Sequence, residues 1–92
     1  MAERWTALTG QFLYRALEDE ILVYCHASGA THRFGGAEAW VFEQLLSGPA
    51  TTEAFAEAAR ELTEPPPNQT LNEAIGNILA MFEQFGLAAR EA

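Results

Sequence analysis

At Gly35-Gly36 the spacing of apolar residues changes from every second position to every third or fourth, and it does not change back. Period two is the signature of strands and period 3.6 that of helices, so the chain reads as a sheet followed by a set of helices.

Three short strands precede it. Residues 12–17 alternate Phe12, Tyr14 and Ala16 against Leu13, Arg15 and Leu17, until Glu18, Asp19 and Glu20 interrupt them with a polar turn. Residues 21–26, ILVYCH, are rich in β-branched and aromatic groups, as a strand covered on at least one face requires. Gly29 supplies the positive φ of the next tight turn. The third strand, residues 30–34, is polar apart from Phe34, which marks it as an edge strand with one row of backbone groups unpaired.

Three helices follow. Ala37, Val41, Phe42, Leu45 and Leu46 fall on one stripe with Trp40 at its flank, and Gly48-Pro49 stop the helix. Thr51 or Thr52 caps a second helix in which Phe55, Ala58, Ala59 and Leu62 recur at helical spacing. The prolines in residues 64–69 break the chain. Thr70 and Glu73 form a capping box for the third helix, which Gly86 ends. Its apolar stripe centres on Leu71, Ile75, Ile78, Phe82 and Phe85, with Ala74 and Met81 on one side and Leu79 on the other. That stripe is about 160° wide against the ~100° of a simple core-facing helix, enough to serve two surfaces. The expectation is one α+β domain over residues 1–92, with an ordered core of about 5–88 and the order βββααα.

Charge narrows the partners. Five arginines, no lysine and thirteen acids give a net charge of -8, which repels phosphate backbones and anionic membranes alike. A helix-turn-helix placed over residues 37–62 would have Arg60 as the only cation of its second helix, beside Glu53, Glu57 and Glu61, a poor surface for a major groove. Neither a nucleic acid nor a membrane is expected as partner. One cysteine, Cys25, excludes an internal disulfide, and the N-terminal residues lack the basic and apolar regions of an export signal, so a cytoplasmic location is expected.

Catalytic chemistry has no candidate. Cys25, His26 and His32 do not match a common zinc spacing, Glu18, Asp19 and Glu20 lie on a turn without a fixed basic partner, and the glycine pairs lack the lysine of a phosphate loop. No cofactor, metal or enzymatic activity is expected.

The stretches LEDEILVY (17–24), SGATHRF (28–34), AWVFEQLLSGP (39–49), TTEAF (51–55) and LAMFEQFGL (79–87), in that order, resemble the PqqD-like proteins. Ser-Gly-x-Thr-His after a strand of the form Asp-Glu-x-x-Val-Tyr is similar, more narrowly, to the PqqD family peptide chaperones of the bacterial HPr-rel-A system. The resemblance spans residues 5–88. It implies a small winged-helix domain, a RiPP recognition element, that binds the leader segment of a ribosomally made peptide and presents it to a modifying enzyme without doing chemistry. By position, the leader would add as a strand beside Ala30, Thr31, His32, Arg33 and Phe34, under the third helix. The extra width of that helix, through Ala74, Ile78 and Met81, would supply side-chain pockets.

The alternative is an adaptor that docks on a partner enzyme through the same edge and holds no separate peptide. An exposed edge also invites a homodimer through the third strand. Trp5 and Leu8, folded back, would cover that edge and silence it.

Overall fold

The computed structural model describes residues 3–62 and 69–91. Strand β1 (Arg4–Ala7) leads through a single 3-10 turn into β2 (Phe12–Ala16), β3 (Glu20–Cys25) and β4 (Thr31–Gly35). Helix α1 (Gly36–Ser47), the two-residue β5 (Ala50–Thr51), helices α2 (Thr52–Arg60) and α3 (Leu71–Gln84), and β6 (Ala88–Glu91) complete the chain. The molecule is a small α+β domain with a three-stranded antiparallel sheet, in the order β2-β3-β4, and three helices.

A second sheet, β5-β1-β6, was not among the elements read from the sequence. It is built by both ends of the chain, with Arg4 opposite Glu91 and Ala7 opposite Ala88. Its strands are too short to show a period, and their partners lie far away in the chain, Arg4 pairing with both Thr51 and Glu91. Trp5 is buried there, its indole N–H donating to Thr52 Oγ1 at 2.9 Å. The N-terminal segment therefore pairs with β5 and β6 and does not lie along β4.

Local chemistry sets the element ends. The Gly29 N–H (φ 72°) donates to the Cys25 carbonyl at 2.9 Å, closing the turn between β3 and β4. Thr51, rather than Thr52, caps α2 by accepting from the Ala54 N–H. At α3 both capping-box bonds are present: the Glu73 N–H donates to Thr70 Oγ1 at 3.1 Å, and the Thr70 N–H to Glu73 Oε1 at 3.0 Å. Gly86, at φ 79°, turns the chain out of α3 so that Leu87 enters the core. The proline break read at residues 64–69 lies outside the described residues, Gln69 excepted.

One core joins the layers. Phe42 is fully buried at its centre, with ring centroids 5.3 Å from Phe12, 6.2 Å from Phe34 and 5.6 Å from Phe82. Two helical phases differ from those expected. In α2 the buried residues are Phe55, Ala56 and Ala59, while Ala58 and Leu62 are exposed. An alanine-rich helix gives little contrast between its faces, so its phase is set by what it packs on. In α3 the buried line is Ile75, Leu79 and Phe82. Leu71, Ile78 and Phe85 are only half-buried. Among the described residues, no helix is long and apolar enough to cross a membrane.

Candidate peptide-binding edge

β4 pairs with β3 on one side only and forms an edge of its sheet. The direction of its backbone groups follows from one hydrogen bond. The Cys25 N–H donates to the Ala30 carbonyl at 2.9 Å, and the register continues as Tyr24–Thr31, Val23–His32, Leu22–Arg33 and Ile21–Phe34. Bonded and non-bonded pairs alternate along an antiparallel ladder, so His32 and Phe34 bond to β3 while the N–H and C=O of Thr31 and Arg33 point away from the sheet.

Side chains alternate as well. His32 and Phe34 face α3; Thr31 and Arg33 face the opposite surface. The His32 ring stacks on Phe85 with centroids 4.2 Å apart and an interplanar angle of 15°. Phe34 is buried, 5.0 Å from Phe82, so its side chain belongs to the core. Arg33 reaches Glu20 at 3.4 Å on the outer surface. Ala30 is half-buried at the strand entrance, where its N–H donates to Ser28 Oγ.

On α3, Ala74, Ile78 and Met81 are all half-buried, and the latter two rest against the core. Helical spacing puts them on one flank together with Phe85. The aromatic contacts that join β4 to α3 run through Phe82 and Phe85, so Phe85 is the bridge from His32 to that half-open row. The sequence puts Phe85 at the centre of the apolar stripe and not among the pocket residues; its position three and four residues beyond Phe82 and Met81 was the available signal.

The other chemically interesting groups disperse. Cys25 is buried on the core face, its thiol donating to the Phe85 carbonyl at 3.5 Å. Hydrogen bonds from the Ser28 backbone and then its hydroxyl draw the thiol's pKa below its ordinary value. His26 projects from the end of β3 toward Tyr24, 5.7 Å between centroids, and is exposed. Glu18 and Asp19 are exposed on their turn. Among the described residues, no three His, Cys, Asp or Glu side chains converge as a metal site would require.

No protein-family model matches this chain, and no curated protein or solved structure does.

Proposed function

We propose that this protein is a non-catalytic binder of extended peptides, which takes them as an added strand along β4 beside α3 and presents them to a modifying enzyme. The observation that carries this reading is the outward backbone of Thr31 and Arg33 on an edge strand whose other face meets a half-open apolar row. Backbone hydrogen bonds along such an edge give affinity, and alternate side chains give selectivity. The resemblance to PqqD-like peptide chaperones supports the same reading, and the single cysteine, Cys25, supports a cytoplasmic setting.

The test is a backbone amide NMR titration of the labelled protein with synthetic peptides encoded beside its gene. Shifts confined to residues 30–34 and 74–85 are the expected result. No shift at millimolar peptide would overturn the reading and leave β4 as an edge used, if at all, for docking an enzyme directly.

A further inference from the structure

The outer face of the β2-β3-β4 sheet is a second surface. Among the described residues five large apolar or aromatic side chains are exposed, and four of them, Leu13, Tyr14, Leu17 and Tyr24, lie on the β2-β3 hairpin. The pairing of Leu13 with Tyr24 and of Arg15 with Leu22 puts Leu13 and Tyr24, and by alternation Leu17, on the face turned away from the helices, whereas Tyr14 pairs with buried Val23 and its ring lies 6.0 Å from Phe42 on the core side. Leu13 is 63% and Tyr24 42% exposed, and with Leu22 they border a shallow depression of about 180 Å³ that also touches Arg15 and Thr31. A single exposed leucine is ordinary; a cluster around a depression marks an interaction surface.

The strand positions of this face carry more arginine than acid, with Glu18 and Asp19 confined to the turn at its end. Against a net charge of -8, the face carries Arg15 and Arg33, and the carboxylate it presents from the same strands, Glu20, is already 3.4 Å from Arg33. The four other arginines all have a carboxylate within 4 Å; Arg15 has none among the described residues.

We infer that this face docks a protein surface with an apolar centre and a carboxylate placed to meet Arg15. The site adjoins the β4 edge at Thr31 but is made by side chains on the face of the sheet, and it does not depend on strand addition there. A domain that presents one chain to another needs two such surfaces, and the outward backbone groups of Thr31 and Arg33 lie at the strand edge, not on this face.

The experiment uses two synthetic amphipathic peptides of equal length, one of Leu and Glu and one of Leu and Lys at helical spacing, each titrated into the labelled protein. The Leu/Glu peptide is expected to shift amides of residues 13–15 and 22–24, and the Leu/Lys peptide to leave them unmoved. Arg15→Ala should weaken binding about three- to fivefold, as loss of an exposed ion pair does, and Leu13→Ser about tenfold, through lost apolar contact. Both side chains are exposed, so unchanged amide dispersion elsewhere would show that the variants fold. Equal binding of the two peptides, or shifts at His32, Ile78 and Phe85 in place of the hairpin, would overturn the inference. Self-association abolished by Leu13→Ser would overturn it too, by making a second copy the occupant. Failure of peptides to bind at β4 would touch only the strand-addition reading.

Discussion

Thr31 and His32 are neighbours with opposite backbone duties, and that difference is testable by one kind of substitution. Proline removes an N–H donor, which an outward position spares and an inward one does not. Thr31→Pro and Arg33→Pro should keep the wild-type amide pattern and lose peptide binding. His32→Pro should break a bond to Val23 and lower the urea midpoint of unfolding. If all three variants behaved alike in a denaturation series, the alternation assigned to β4 would be wrong. The outward parity was open in the sequence, because alternation within residues 30–34 is legible but its phase is not. A single bond, Cys25 to Ala30, decides it. The stack of His32 on Phe85 was not legible at all, since it joins residues fifty-three positions apart and has no local signature.

At the level of elements, α3 divides its apolar width between two surfaces, and paired truncations separate them. Leu79→Ala empties a fully buried position and should cost about 2–5 kcal/mol of stability. Ile78→Ala, at a half-buried position one residue away, should cost less stability and weaken peptide binding more. The width of the stripe was readable from spacing, but its centre was not, because apolar residues flank it on both sides and the packing partner selects the line. The capping box was readable in full, being a matter of four consecutive residues. Thr70→Ala should cost about 1 kcal/mol by urea unfolding. The Thr70 backbone N–H, and then its hydroxyl, hold the Glu73 carboxyl below the ordinary glutamate value of 4.5. A carboxylate with a lowered folded pKa stabilises fully above that ordinary value, and its contribution disappears as the pH falls through the folded pKa. Glu73→Gln should therefore narrow the difference in midpoint between pH 7 and pH 3.

For the whole molecule, the second sheet ties the two ends of the chain together. Arg90 of β6 lies 5.0 Å from the Trp5 ring, forms hydrogen bonds with Glu83 of α3, the shortest 2.8 Å, and approaches Glu3 at 3.5 Å. Hydrogen bonds from Arg90 lower the Glu83 pKa as those from Thr70 lower that of Glu73. None of this was legible, because strands of two and four residues carry no period and their register exists only once the core has brought them together. The charge was legible, and it has a thermodynamic corollary: a chain at -8 repels itself, so raising salt from low ionic strength should raise the thermal midpoint. A midpoint that fell with added salt would show that the surface ion pairs outweigh that repulsion. The alternation along β4 also has a consequence for reading frame. A ligand strand displaced by two residues, about 7 Å, regains every backbone bond and presents the same face. One displaced by a single residue turns its recognised side chains outward. Any enzyme served by such an edge would meet its target residue at positions spaced in even steps, a ruler whose smallest division is the dipeptide.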